Sequence, residues 1–428
     1  MKLLVIGSGG REHALAWRLV QNPNVQCVYV APGNAGTAVE DGLINIDAAS
    51  IPDLIAFAKK ENIYLTVVGP EASLAAGVVD QFQVAGLTIF GPTRAAAQLE
   101  SSKDFAKQFM VRHGIPTAKY ATFTDLAAAK QYVAREGAPI VIKADGLAAG
   151  KGVVVAMSLD EALDALEMML GVSGGAEVTL GQVVIEEFMA GEEASFICLC
   201  DGKNALPFAS TQDHKRIFDN DTGPNTGGMG AYSPAPVVTP EIHARVMREI
   251  IHPTLTGMRD EGAPFTGFLY AGLMIDAAGN PRVVEFNARM GDPETQPIMM
   301  RLKTDFLSLI EAGIAGKLDT TEVEWDRRAA LGVVMAAANY PHTPTTGDAI
   351  TCIPNATEDA KVFHAGTKLI DGNVVTNGGR VLCVTALGDT VKIAQQRAYE
   401  MLAPIHFAGM QYRRDIGYRA IGRKPIGE

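Results

Sequence analysis

Cysteine is scarce in this chain of 428 residues: Cys27, Cys198, Cys200, Cys352 and Cys383, an odd number without a C-x-x-C pair. That usage excludes a disulfide framework and predicts reduced, buried thiols in a cytoplasmic protein. No apolar run approaches the ~18 residues of a membrane helix. Near the start only Leu3 to Ile6 are continuously apolar before glycines and Arg11. That falls short of the about 7–15 residues of a secretory leader, so export is not expected. Basic charge is in deficit: 37 Lys and Arg stand against 48 Asp and Glu, a net charge of −11. Nucleic acid and acidic membrane are therefore not expected partners. Small anions remain open, because they need only a local positive site. Heptads, fixed-period repeats and low-complexity tracts are also absent.

What is present describes a multidomain globular protein. The hydrophobic fraction is 47% and the charged fraction 20%, enough for sizeable cores and far from a disordered composition. At roughly 100–200 residues per domain the length suggests about three domains. Apolar runs at 2–6, 27–30, 65–68 and 87–90 alternate with helical patterns at 12–21, 52–61 and 73–84. This is the signature of a parallel sheet covered on both faces. A helix over 103–113 follows, capped by Ser101 or Ser102. An α+β module comes next, with helices at 125–135 and 159–170, strands at 140–143, 153–156 and 183–188, and a glycine segment in its middle. A third unit holds a strand from Ala194, a helix at 240–259 and strands at 268–275 and 282–287 joined by a turn. The remainder, from about 328, is β-rich with a helix at 389–402. The predicted fold class is α/β and α+β multidomain, divided at 1–100, 101–122, 123–192, 193–327 and 328–428.

Five segments carry chemistry. Gly7-Ser8-Gly9-Gly10-Arg11-Glu12-His13 joins a strand to a helix, where glycines and helix N–H groups suit a phosphate. It departs from the dinucleotide fingerprint: Glu12 replaces the third glycine, and Val30-Ala31-Pro32-Gly33 offers no ribose-binding carboxylate. A nicotinamide enzyme is therefore disfavoured. Lys143 ends a strand and precedes a segment containing Gly146, Gly150, Lys151 and Gly152. Gly152 stands where a P-loop needs Ser or Thr. The segment reads instead as a lid over a triphosphate, with Lys143 and Lys151 as point charges. Strand Val183 to Phe188 turns acidic at Glu186 and Glu187 and continues through Met189 to Glu193. Its backbone and a carboxylate could read an adenine edge, and Glu193 a ribose. Glu285 and Asn287 alternate onto one strand face as hard oxygen ligands for Mg²⁺ bound with phosphates. Arg289, one step beyond, could stabilise a transferring phosphoryl group. Finally, Gln212 to Arg216 and Asp221 to Gly230 form a long glycine-rich loop, suited to a substrate cradle.

In order along the chain, Lys103, Lys143, the glycine flap, the E-E-F-x-x-G-x-E segment and the E-x-N pair resemble the ATP-grasp ligases. With Gly7 to Ala14, Gly223 to Gly230 and Asn287 to Gln296 included, the chain resembles the phosphoribosylamine–glycine ligase family of purine synthesis over essentially its whole length. The resemblance implies an ATP-grasp fold with an N-terminal parallel α/β domain and a small β-rich C-terminal domain. It implies ligation of glycine to 5-phosphoribosylamine through a glycyl phosphate, with ATP and Mg²⁺ or Mn²⁺, in a cytoplasmic monomer. Phosphoribosylamine would be met by Gly9, Gly10, Arg11, Glu12 and the Gly69-Pro70-Glu71 loop. ATP would be met by Lys103, Lys143, Gly146, Gly150, Lys151, Gly152, Glu186, Glu187, Phe188, Met189 and Glu193. Metal would be held by Glu285 and Asn287, with Asp276 a questionable third ligand. Asp213, Lys215, Asn225, Gly227, Gly228, Arg289 and Asp292 would complete the substrate sites, with Asp213 and the 222–230 loop at glycine. Arg289, Lys143 and Asp213 are the expected catalytic side chains. Another ATP-grasp ligase that activates a carboxylate for an amine, and a non-catalytic nucleotide-binding regulator, are the competing readings.

Overall fold

The computed structural model describes residues 1–147, 152–171 and 181–423. Its N-terminal unit is a five-stranded, all-parallel sheet. Across the sheet the strands run Leu43–Asn45, Cys27–Pro32, Lys2–Gly7, Leu65–Val68 and Ile89–Phe90. Leu3, Leu4, Val5, Leu65 and Val67 are buried because helices cover both faces. The strand order reverses between Lys2–Gly7 and Leu65–Val68, which places Gly7 and Gly69 at the switch point where such sheets receive ligands. Two details differ from the sequence expectation. The helix expected at 73–84 is two, Glu71–Ala75 and Val78–Val84, broken at Gly77 by its φ of +84°. The strand expected at 87–90 shortens to Ile89–Phe90, and the three-residue edge strand Leu43–Asn45 was not foreseen.

Helix Lys103–Arg112 is capped by Ser102, whose Oγ accepts from the Phe105 N–H at 3.1 Å. The module after it is a four-stranded antiparallel sheet, ordered Tyr120–Phe123, Val183–Glu187, Ile140–Ala144 and Val153–Ala156. Helices Leu126–Glu136 and Leu159–Leu170 cover it. It has its own core of Val133, Ile142, Leu166 and Ile185, separate from the rest. Glycines 150 and Lys151, expected in the lid, lie outside the described residues.

The central antiparallel sheet orders Ala205–Pro207, Glu192–Asp201, Thr266–Ile275 and Pro281–Asn287. The expected 240–259 helix is continuous but includes a π-helical stretch, Met247–Ile251. The glycine-rich segment after 212 is more regular than the loop expected. It contains the hairpin Arg216–Phe218 with Thr222–Asn225, flanked by strands Gln212–Asp213 and Gly230–Ser233. Gly230–Ser233 pairs with Ala329–Ala336, so one sheet runs across the boundary drawn near 328. That sheet continues through Arg380–Gly388 to Ala360–His364, and helix Val391–Leu402 packs against it. Four cysteines are buried and unpaired, whereas Cys352 is exposed.

Candidate active site

A cavity of about 790 Å³ opens where the antiparallel module, the central sheet and the N-terminal helix meet. Its floor is strand Pro281–Asn287. Tyr270 faces Asn287 and Gly272 faces Glu285 across the antiparallel pair, and the register then shifts between Gly272 and Leu273. This bulge leaves Val284 unpaired and frees its carbonyl, which accepts from the Lys143 ammonium at 3.0 Å. Glu285 and Asn287 both line the cavity, as alternation requires. Burial alone would raise the Glu285 pKa. Lys215, Lys143, Lys103 and Arg289 together override burial and hold it below the ordinary carboxylate range. The site therefore presents an ionised carboxylate and an amide oxygen, both hard donors that suit a divalent cation. Among the described residues no group of three or more His, Cys, Asp or Glu is arranged to hold a metal ion. The pair fits a cation that takes its other ligands from phosphates and water. Asp276 does not join it. Its Oδ1 accepts from the N–H groups of Ala278 and Asn280 at 2.9 Å each and closes the hairpin turn.

Lys143 is also bound to Glu186 at 2.9 Å, and Lys107 takes the other Glu186 oxygen at 3.0 Å. All three are buried. Both oxygens of Glu186, one of the two strand-end carboxylates expected to border ATP, are thus engaged by lysines. Lys107 was missed because nothing local marks a helical lysine as inward-facing. The Lys103 ammonium donates to the Gly146 carbonyl at 2.8 Å, and its backbone N–H donates to Asp145 at 2.6 Å. Burial pulls the Lys103 pKa down. Glu187 points away from Glu186 and binds Arg282 and the Lys119 N–H. Phe188 is exposed and Met189 buried in the short link to the central sheet, and both border the cavity. In that link Gly191 has φ +156°, and a Cβ there would run into the Ile275 carbonyl. Gly152 also lines the cavity, and its carbonyl accepts from the Ala144 N–H at 2.7 Å.

At the other end, Arg289 is held by Glu100 at 2.8 Å and Glu71 at 3.3 Å. Glu100 also accepts from the Ala288 N–H at 2.7 Å, and the sequence reading did not include it. Arg11 bonds Glu12 and donates to the Met290 carbonyl at 3.2 Å. The glycine loop has a use the motif did not reveal. A Cβ on Gly7, Gly9 or Gly69 would strike the Glu12 side chain, and the Gly9 N–H donates to Glu12 Oε2 at 2.7 Å. These glycines admit a carboxylate of the protein itself. Gly10 is packed against Gln296, and Pro70 precedes the Glu71 helix as its N-cap. His13 docks the helix onto the C-terminal sheet: its Nδ1 accepts from the His364 N–H at 2.9 Å and its Nε2 lies 3.0 Å from Glu40.

The roof comes from the 212–230 segment and the C-terminal unit. Lys215 lies 3.1 Å from Glu193. Burial lifts Asp213 to a pKa of about 7, Glu294 and Glu193 reinforcing it and Lys215 opposing it. Asn225 and Gly227 line the cavity, with Gly228 beside them against Pro293. Arg380 donates to the Gly227 carbonyl at 2.7 Å and also reaches Asp292, so the C-terminal unit fixes this wall. Tyr340 and Arg419 border the same space. Arg380, Tyr340 and Arg419 carried no sequence signal, since they sit at a strand start, in a turn and in a one-turn helix without a motif.

Three family descriptions match the chain in order: Phosphoribosylglycinamide synthetase N domain over residues 1–100, its ATP-grasp (A) domain over 101–295 and its C domain over 330–419. A phosphoribosylamine–glycine ligase of Ralstonia nicotianae is 66% identical over 427 residues, covering 99% of this chain and 100% of that protein. The chain belongs to the phosphoribosylamine–glycine ligase family. Another member, from Vibrio parahaemolyticus, is 61% identical over 428 residues, 99% of each chain. The crystal structure of the phosphoribosylamine–glycine ligase of Thermotoga maritima superposes with a TM-score of 0.84 at 36% identity, covering 97% of this chain and all of that one. A biotin carboxylase domain from Hydrogenobacter thermophilus shares the fold, with a TM-score of 0.70 at 16% identity over 96% of this chain and 91% of that one. As a phosphoribosylamine–glycine ligase family member with an ATP-grasp domain, the protein is an ATP-dependent ligase. Among the described residues no helix is long and apolar enough to cross a membrane.

Proposed function

We propose that this protein joins glycine to 5-phosphoribosylamine, cleaving ATP to ADP and phosphate and giving glycinamide ribonucleotide through a glycyl phosphate. The observation that carries the reading is one shared cavity. Glu285 and Asn287 lie on its floor with Lys103, Lys143 and Lys215 around them, and Arg11, Glu71 and Asp292 border it as well. Three ligands thus have one space in which to meet.

A carboxylate is a poor electrophile, and phosphorylation by ATP gives it a leaving group. Glycine's carboxylate oxygen attacks the γ-phosphorus and ADP departs. The phosphoribosylamine nitrogen then attacks the acyl carbon, and phosphate leaves. Such chemistry needs alignment and charge compensation more than covalent help. Lys143 is fixed by Glu186 and the Val284 carbonyl, so its charge is in place before ATP arrives. Lys103 and Arg289 supply further positive charge, each held by neighbours that prevent collapse onto Glu285. Glu285 and Asn287 are the residues that would hold Mg²⁺ or Mn²⁺, whose contribution is charge neutralisation at the β- and γ-phosphates. Gly146, Gly152 and the Glu186 to Met189 strand end border the nucleotide's place, with Glu187 and Glu193 at its rim. Arg11, Glu71 and Asp292 border the cavity where the phosphoribosyl group would lie, and Gly9, Gly10, Glu12, Gly69 and Pro70 would support that place from the loops behind them, with Asp292 beside Gly9. Asp213, Asn225, Gly227 and Gly228 lie toward glycine. We read the protein as a cytoplasmic monomer without nucleic-acid or membrane partners.

Phosphate release measured with each substrate omitted in turn tests the activity: release should require ATP, glycine and phosphoribosylamine together. ¹⁸O in glycine's carboxylate should appear in the released phosphate. Unlabelled phosphate would sink the acyl-phosphate route.

A further inference from the structure

The segment from Arg413 to Arg419 is sewn onto the roof of the cavity. Arg413 is fully buried. Its guanidinium donates to Asp415 through Nε and Nη2 and to Asp221 Oδ1 through Nη1, each at 2.8 Å. The same Nη1 lies 3.3 Å from the Arg216 carbonyl. The Arg414 N–H donates to Asp219 at 2.8 Å, and the Asn220 N–H donates to Asp415 at 2.9 Å. The Gly417 N–H donates to His214 Nε2 at 3.0 Å, so a neutral His214 ring carries its proton on Nδ1, 3.9 Å from Asp221. Arg419 donates to Asp221 through Nη2, to the Asp213 carbonyl through Nη1 at 3.3 Å and to the Tyr418 hydroxyl through Nε at 3.3 Å. The Tyr418 hydroxyl donates to the same Asp221 oxygen. Asn220 and Asp221 hold φ of +58° and +54° at the turn, a conformation that persists where its surroundings fix it.

Asp221 and Arg419 border the cavity, yet their contacts are with each other and the roof. Each of the three Arg419 nitrogens already has a partner. The bonds fall on both sides of Lys215: the Asp213 carbonyl and the His214 ring before it, the Arg216 carbonyl after it. The Lys215 carbonyl is itself held by the Thr226 N–H at 2.7 Å and the Thr226 hydroxyl at 2.8 Å. Its ammonium lies 3.1 Å from Glu193 and is the foremost charge opposing burial at Glu285. We propose that Arg419 and Asp221 are positioning residues of the ligase: their ion pair straps the C-terminal segment onto the roof and sets where the Lys215 ammonium stands over the cavity floor. The inference rests on Lys215 as one of the cations of the site and goes beyond that reading. A lysine puts its charge on a flexible four-carbon stem, so the charge is placed only as well as the backbone that carries it. Phosphoryl transfer depends on alignment, and a displacement of about 1 Å is enough to slow it.

Comparison of kcat/KM for ATP in the wild type, Arg419→Met, Lys215→Met and the double variant tests this. Arg419→Met should lose about ten- to hundredfold while circular dichroism stays unchanged. Lys215→Met should lose at least as much. The double variant should lose no more than Lys215→Met, because without the ammonium there is nothing left to place. A merely structural role would cost the same factor in both backgrounds. Arg419→Lys, which keeps the charge against Asp221 but not the fork, should fall between Arg419→Met and the wild type. If Arg419→Met does not fold, Asp221→Asn takes its place, since asparagine accepts the same left-handed backbone. Wild-type kcat/KM in the strap variant, or an equal loss with and without Lys215, overturns the proposal. If phosphate release requires a different acid or amine, the reaction proposed above falls, and the same comparison run with those substrates still decides the strap.

Discussion

The Lys143 ammonium and the Glu186 carboxylate lie 2.9 Å apart, diagonal to each other across the antiparallel pair of Ile140–Ala144 and Val183–Glu187. Lys107 closes the triad from helix Lys103–Arg112. The arrangement turns Glu186 into the anchor of a cation aimed at the cavity floor. Glu186→Gln should strand two buried ammonium groups and cost about 3–5 kcal/mol of stability. Urea unfolding reads this directly. An unchanged midpoint would show that the triad does not support the fold.

Lys107 gives the triad a pH signature. Burial lowers its pKa to about 8, with Glu186 opposing the shift, against 10.5 for the ordinary side chain. The unfolded chain therefore binds the extra proton between those values. The destabilising contribution is full below about pH 8 and is relieved as pH rises toward 10.5. Unfolding free energies on both sides of that window should show stability rising with pH in the wild type, with the rise reduced in Lys107→Met.

Asp213 has the opposite sign. Its folded pKa of about 7 lies above the ordinary 3.8, so the folded protein binds the extra proton in between. Its stabilising contribution is present at low pH and is lost as pH rises through about 7. Asp213→Asn should stabilise the ligand-free protein near pH 8 by on the order of 1–3 kcal/mol while weakening glycine binding. Thermal melts with and without glycine measure both effects. Equal destabilisation in the two conditions contradicts the assignment.

Glu285→Ala should lower turnover about 10²–10³-fold while circular dichroism stays unchanged. The rise in Tm produced by ADP with Mg²⁺ should shrink more than the rise produced by ADP alone. Wild-type turnover in this variant removes Glu285 from the metal site.

Gly69→Ala pushes a methyl group into the Glu12 carboxyl, which already braces the start of the first helix. The clash should cost about 1–3 kcal/mol. The KM for phosphoribosylamine should rise and that for ATP should not. Equal changes in both would mean a general loss of structure.

Local signals in the chain sufficed for much of this molecule. Ser102 followed by an apolar-periodic run marked the start of its helix, and Leu159–Leu170 has the bounds expected for it. The E-x-N alternation put Glu285 and Asn287 on one face, because strand geometry admits no other arrangement at that spacing. The lysines at strand and helix ends, Lys143 and Lys103, were legible for the same reason. Gly7, Gly9 and Gly69 were legible as special and misread in detail: a glycine states that something approaches closely, not whether it is a ligand or Glu12.

By itself the sequence determined the alternation of strands and helices, the acidic balance and the floor of the site, all set by neighbours a few residues apart. Only the tertiary structure decided which charges meet. Glu186 holds Lys143 from 43 positions away, Glu100 holds Arg289 from 189, and Arg380 fixes Gly227 from 153. The bulge that frees the Val284 carbonyl depends on register with Thr266–Ile275. Buried charges are energetically tolerable only with a partner, and partnership across such separations is a property of packing, which no local pattern encodes.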